Sequence, residues 1–526
     1  MKNILIIILL TILSTPNEMF AQMKEADCST VTNLGKNICS EWSEYAPVIS
    51  QDGKTIFFCR DSDQINKDNP LYLKKTGEDI WRSDFVDGKW TEAKLVEELN
   101  TELSEVVVSV YNNKTEIIIF RNAKLYRCTQ LADGSWSDAE CLGAPFDITG
   151  VKYYDINYSV NGKHLFYTAQ TGSIGSKDIY ACEKEIDGSW SDPILLDSII
   201  NSSKSERSPQ LAADGKTMYF SSAGHGGSVC LDVFRTVMGD DITQWSKPVN
   251  LGSPINTSDS DWFFIVPASG DKAYYSSNHS IDNYGKNDIY RIDLYEDIRP
   301  EDKVAEISGV VVDGKGKPLI AAVVCTEIQS KEVVYECRTQ FDGKFFMSMT
   351  LGKRYVINAK KEGYYSQSYN FDLRDIDLSG HSDVYKKYIK IRMLDIEYPE
   401  YGGKIRFNVF FDYNSSILLS ESDLELETML RSLKKYKDLI IEVTGHTDST
   451  GINHSRLSAA RASAIVNYFV ENGISEKRLE AVGSGCDEPI CPDRTEECFA
   501  KNRRVEIIFV EDKKQCLILK DFGIIK

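Results

Sequence analysis

Between Ser43 and Asp297, short apolar runs of strand length alternate with Gly, Asn and Asp turns, and one unit recurs about every fifty residues. Asp52-Gly53-Lys54-Thr55-Ile56-Phe57-Phe58, Asn161-Gly162-Lys163-His164-Leu165-Phe166-Tyr167 and Asp214-Gly215-Lys216-Thr217-Met218-Tyr219-Phe220 are copies, with degenerate ones at 113–119 and 270–275. The Asn-Gly and Asp-Gly pairs supply the positive φ that tight hairpins demand, so each copy predicts strand, turn, strand. A further strand follows in each unit, at Asp79-Ile80-Trp81, Lys124-Leu125-Tyr126, Asp178-Ile179-Tyr180, Asp232-Val233-Phe234 and Asp288-Ile289-Tyr290. An outer strand carrying Trp90, Trp136, Trp190 or Trp245 completes four of the units. Five units of four strands predict an all-β five-bladed propeller over 28–298. The fifth unit lacks its tryptophan strand, while Val31-Thr32-Asn33-Leu34-Gly35 echoes Val249-Asn250-Leu251-Gly252 at the end of the fourth. The N-terminal segment is therefore expected to close the ring, which removes two exposed sheet edges.

A charged linker with Pro300 ends this region, and alternating strands with a Gly316-Lys317-Pro318 turn predict a small antiparallel β-sandwich over 304–397. From Lys404 the period changes. Ile405–Phe411 reads as a strand, Ser422 and Glu425 as a capping box, and Leu426, Met429, Leu430 and Leu433 as one helical face. A strand over 439–444, a helix over 456–472 stopped by Gly473, and a strand over 505–509 follow. The helix is expected to bury Leu457, Ala460, Ala464, Ile465 and Tyr468. This is an α+β domain over 404–512, with a tail at 513–526.

At the start, Lys2, an apolar run from Ile4 to Leu13 and small Ala21 read as a secretory signal peptide over 1–21. No later run reaches the ~20 apolar residues of a membrane span. The net charge of −18 excludes nucleic acid and anionic membrane surfaces as partners. Thirteen cysteines in an exported chain favour disulfides or buried thiols over metal sites. Cys128 with Cys141, and Cys325 with Cys337, each flank a hairpin and are candidate pairs. There is no GxSxG elbow, HExxH helix or phosphate-binding glycine loop, so no catalytic residue, cofactor or metal ligand is assigned. His225 reads as part of a flexible loop, and the pairs Asp61/Asp63 and Asp259/Asp261 as solvated loop charges.

The repeats resemble PD40 (TolB-type) propellers, and residues 304–397 resemble carboxypeptidase regulatory-like, transthyretin-like domains, which are usually spacers. The most specific signal lies further on. Phe411-Asp412-Tyr413-Asn414-Ser415, Gly445-His446-Thr447-Asp448-Ser449-Thr450-Gly451, Leu457-Ser458-Ala459-Ala460-Arg461-Ala462 and Asn502-Arg503-Arg504-Val505-Glu506 resemble, in order, the motifs of the OmpA-like domain of OmpA, Pal and MotB. The resemblance implies that this domain binds the peptidoglycan stem peptide at its diaminopimelate-type residue. Asp448 would take the ammonium and Arg461 the carboxylate, with Asn414 a further polar contact and Leu457 and Ser458 shaping the wall. His446 is expected to be structural, and Arg503 and Arg504 to brace the fold. This chain has His454 where the family usually has Asn, and a shorter preceding loop, with Asn453 as a substitute. A loop disulfide found in some OmpA proteins would join Cys498 to Cys486 or Cys491, with zinc as the competing use.

The order of domains resembles envelope proteins of the Bacteroidetes, including type IX secretion components. The expected protein is therefore a non-enzymatic anchor in the periplasm, associated with outer membrane and wall. It would bind peptidoglycan through the C-terminal domain and an outer-membrane or secretion-complex protein through the propeller. A wall-tethered hydrolase with its active site on the propeller, and a TolB-like envelope-integrity protein, are the alternatives.

Overall fold

The computed structural model describes residues 31–61, 78–111, 114–143, 153–185, 188–226, 230–278, 282–366, 369–374, 376, 384–395, 404–407, 409, 411, 415–418, 422–449, 453–490, 492, 494 and 502–510. The expected signal peptide and tail lie outside these residues, as do Asn414, Cys491 and Cys498. No helix among the described residues is long and apolar enough to cross a membrane.

The N-terminal region builds five antiparallel sheets. Their inner strands are Ser43–Ile49, Glu105–Tyr111, Tyr153–Tyr158, Glu206–Leu211 and Asp261–Ile265. Each inner strand packs against the next and the fifth against the first, so the sheets close on themselves as a ring. The fifth sheet takes its outer strand from the opposite end of the region, with Thr32 opposite Arg291 and Asn33 opposite Tyr290.

A polar clamp recurs at the described junctions between sheets. Asn201 Oδ1 accepts from Ile179 N at 2.7 Å, and its Nδ2 donates to Ile179 O and Leu196 O. Asn100 and Asn256 clasp Ile80 and Val233 in the same way. Cys39 stands at the corresponding place in the closing sheet, its Sγ 3.7 Å from Ile289 O. The hydroxyl residue after each clamp donates to an acid on the inner strand: Ser40 to Glu44, Thr101 to Glu105, Ser202 to Glu206 and Thr257 to Asp261. All four acids are fully buried. Burying a carboxylate is costly unless it is well partnered, so the sequence around each acid is constrained. Arg60 pairs with Glu44 at 2.6 Å and Arg121 with Glu105 at 2.9 Å, whereas Ser222 serves Glu206.

Several sequence expectations change here. Asp261 is a buried strand residue rather than a solvated loop charge, because its carboxylate accepts from Thr257 N and Oγ1. His225 is held, its Nε2 2.7 Å from Ile200 O and its ring packed between Phe220 and Phe234. Of the four tryptophans expected on outer strands, Trp90 lies in a strand, while Trp136, Trp190 and Trp245 close single bridges beside their hairpins. The tryptophans instead pack edge-on between sheets, Trp136 on Phe57, Trp245 on Phe166 and Trp90 on Tyr274 across the ring closure.

Residues 304–395 form two four-stranded sheets around a core that includes Ile307, Val323, Met347 and Ile357. Cys128, Cys141, Cys325 and Cys337 are all free thiols, against the expected pairings. Register is the reason. Cys141 faces Tyr126 rather than Cys128, and Cys325 faces Tyr335 while Cys337 faces Val323, so each pair is diagonal across its ladder. This unit covers one end of the ring, where Gln51 Nε2 donates to Tyr335 Oη at 3.5 Å and Val160 packs on its core.

The C-terminal domain comprises β1 (Lys404–Phe407), α1 (Asp423–Lys435), β2 (Ile440–Gly445), α2 (His454–Glu471), β3 (Leu479–Gly483) and β4 (Val505–Val510). Sheet order is β1-β4-β2-β3, with β2 and β3 parallel. Alternate residues Ile441, Val443, Val505, Ile507 and Phe509 meet Leu426, Met429, Leu433, Ile465 and Phe469 of the helices. Ser422 has helical rather than extended backbone and makes no capping bond, so the expected capping box does not form. Replacing Asn201 by Ala should cost about 2–3 kcal/mol by orphaning buried backbone groups, read as a lower midpoint for the ring's unfolding transition.

Candidate functional site

The end of β2 and the start of α2 are forced together by two glycines. A Cβ on Gly445 would lie 2.2 Å from Ser458 O, and one on Gly483 would lie 2.6 Å from Ala459 N. No other residue permits that approach, and the small run Ser458-Ala459-Ala460 completes it from the helix side. Ser458 Oγ, itself bonded to Ser455 O, accepts from Gly485 N at 3.0 Å. The buried face of α2 is consequently Ser458, Arg461, Ala462, Ile465 and Phe469. The expected stripe through Leu457, Ala460, Ala464 and Tyr468 is turned by about one residue; those side chains are half-buried.

That rotation carries Arg461 inward to 7% exposure. Its Nε donates to Ser415 O at 3.0 Å, and its guanidinium lies 5.0 Å from the Phe411 ring centroid. Its two terminal nitrogens have no hydrogen-bond partner among the described residues. Burial, then the neighbouring charge of Arg503, lower the Arg461 pKa, and Asp448 acts in the opposite direction.

Asp448, also 7% exposed, follows β2 at the exit of the strand. Its Oδ2 accepts from Arg503 Nη1 at 2.6 Å. Arg503, expected as a brace beside the cleft, is thus paired directly with Asp448, and the Asn-Arg-Arg run was the signal for it. The Arg503 side chain is 36% exposed, so the ion pair meets solvent on the arginine side. Asp448, Arg461 and Arg503 together form a site with two cations and one anion. Leu457 is half-buried, and Ser458 spends its hydroxyl on the loop after β3. His454 Nδ1 lies 3.3 Å from Thr447 Oγ1, next to Asp448, while Asn453 takes positive φ and makes no side-chain cap.

Arg504 does brace the fold. Its Nε donates to Glu506 Oε1 at 2.8 Å, and buried His446 Nε2 stands 3.4 Å from Glu506 Oε2. Burial alone would raise the Glu506 carboxyl, yet His446 and Arg504 hold it down at about 2. These groups sit on the sheet face away from the helices, since Glu506 and Thr444 are register partners.

Residues 410–503 match the OmpA family model. The C-terminal domain is OmpA-like. It is 35% identical over 117 residues to outer membrane protein A of Bordetella avium, covering 22% of this chain and 60% of that protein. It is 32% identical to outer membrane porin F of Pseudomonas fluorescens over 20% of this chain and 32% of that one. It is 36% identical to the peptidoglycan-binding protein ArfA of Mycobacterium bovis over 20% of this chain and 32% of that protein. The chain thus spans from about a third to three fifths of these relatives, and the similarity is confined to its C-terminal fifth.

Two outcomes are expected. Gly445→Ala should destabilise the C-terminal domain by about 2–3 kcal/mol in chemical denaturation, since the obstructing atom is backbone. Glu506 has a folded pKa below its usual 4.5, so its contribution is complete above about 4.5 and lost as pH falls towards about 2. Glu506→Gln should therefore flatten that acid limb of the domain's stability profile.

Proposed function

We propose that the chain is a non-enzymatic anchor of the cell envelope, located in the periplasm and associated with outer membrane and wall. Its C-terminal domain binds the diaminopimelate-type residue of a peptidoglycan stem peptide. The observation that carries this is the guanidinium of Arg461, buried beside Asp448 with both terminal nitrogens unanswered among the described residues. A ligand carboxylate satisfies those two donors in the fork geometry that suits a guanidinium. The ligand ammonium then meets Asp448, sharing or displacing Arg503. Binding is an exchange of ion pairs rather than the filling of an empty socket. The net positive charge of the three groups favours ligands that bring a carboxylate. The names of the similar proteins, an outer membrane protein, a porin and a peptidoglycan-binding protein, support this location and ligand.

The five-sheet ring is a five-bladed propeller of PD40 type, and the two-sheet unit a transthyretin-like spacer that holds it away from the wall. The propeller serves an outer-membrane or secretion-complex protein, in an assembly of the type IX class. With the spacer seated on one end, the partner meets the opposite end, where the turns at 122–123 and 170–177 emerge.

The test is co-sedimentation of the full chain with insoluble peptidoglycan. Asp448→Ala and Arg461→Ala should each weaken pelleting at least tenfold, consistent with ~1.5–3 kcal/mol for a charge-assisted hydrogen bond. Variants that pellet like the native chain would overturn the assignment.

A further inference from the structure

The ring encloses a cavity of about 440 Å³ at the end opposite the two-sheet unit. The internal repeats separate what the framework demands from what the cavity presents. One inner-strand position is the buried acid in four of the five sheets, Glu44, Glu105, Glu206 and Asp261, and Tyr153 in the remaining one. The following position carries Tyr45, Val106, Tyr154, Arg207 and Trp262, and the one after it Ala46, Val107, Asp155, Ser208 and Phe263. Tyrosine recurs in the first set, at Tyr45 and Tyr154; otherwise no residue recurs within either set. The framework repeats its acid and clamp while the next two positions vary around the ring, so strand geometry does not dictate them. Tyr45, Val106, Asp155, Arg207 and Trp262 all line the cavity.

Their chemistry is two-sided. Tyr45, Val106 and Trp262 present aromatic and aliphatic surface. Beside it, Asp155 and Arg207 form a two-point ion pair, with Nη2 donating to Oδ1 at 2.8 Å and Nε to Oδ2. The guanidinium lies 5.3 Å from the Trp262 ring centroid, which fixes both planes. Trp262 Nε1 is buried and has no acceptor among the described residues. Glu78 also lines the space, so with Asp155 and Arg207 its charged groups do not favour an anion.

We propose that this cavity binds a neutral pyranose sugar of the N-acetylhexosamine class. A pyranose has an apolar face of C–H groups that stacks on an aromatic ring, and a rim of hydroxyls that both donate and accept. Planar carboxylate and guanidinium edges match that rim. The volume suits one or two sugar rings and falls within the usual range for small-ligand sites. The site is separate from Asp448 and Arg461 and does not depend on their reading.

The test is saturation-transfer NMR and calorimetric titration of the full chain with N-acetylglucosamine and its β-1,4-linked trimer. Saturable binding is expected, weakened at least tenfold by Trp262→Ala and abolished by Val106→Trp, which fills the cavity and leaves the ion pair in place. Thermal melts establish that the ring stays folded in both variants. Arg461→Ala should leave sugar binding unchanged, which separates this site from wall binding by the C-terminal domain. Absence of transfer at millimolar sugar would overturn the proposal. So would binding that survives Val106→Trp, or an uncharged apolar peptide taking the cavity while the sugars do not.

Discussion

A guanidinium removed from water must be answered, and that of Arg461 is only partly answered among the described residues. Its Nε is tied to Ser415 O and its flat face lies on Phe411, so the group is held in orientation while its terminal nitrogens have no described partner. Holding a buried cation this way costs stability. The surrounding packing keeps it there: Gly445 and Gly483 draw α2 onto the strand ends, and the small residues after Leu457 let the helix turn its arginine face inward. Asp448 and Arg503, paired at 2.6 Å, complete the set of charges around it.

The ring solves a different problem with the same economy of means. Each sheet needs its neighbour, and buried acids, hydroxyls and asparagines repeat because they satisfy backbone groups that the junctions leave open. The third sheet departs from this, with Tyr153 opposite Ala169 where other sheets set an acid opposite arginine or serine. Its next residue but one, Asp155, reaches instead to Arg207 on the fourth sheet. The departure from the repeat and the cross-sheet ion pair in the cavity thus fall on the same strand.

Much of this was legible in the chain. The hairpin repeats, the strands of the C-terminal sheet and the closeness of Asp448 to Arg461 follow from turn chemistry, alternation and motif order. What escaped did so for physical reasons. Leu457 suggested the wrong helical face because apolarity was weighed above size, and the contact is set by glycine and serine backbone rather than by a large side chain. β3 is five residues long and parallel to β2, a pairing that leaves no hairpin signal. The cysteine pairs fit by spacing and failed by register, which only the ladder reveals. Arg503 was visible as part of a motif, but its partner across the sheet was not.

The central claim is that Arg461 and Asp448 together recognise a carboxylate and an ammonium on one ligand. Calorimetric titration of the full chain with a diaminopimelate-containing stem peptide, and with the same peptide carrying lysine in its place, tests this most directly. The two differ by the side-chain carboxylate alone. Tighter binding of the diaminopimelate form by at least tenfold, a preference that vanishes in Arg461→Ala, is the predicted result. Equal affinity for both peptides would contradict the account.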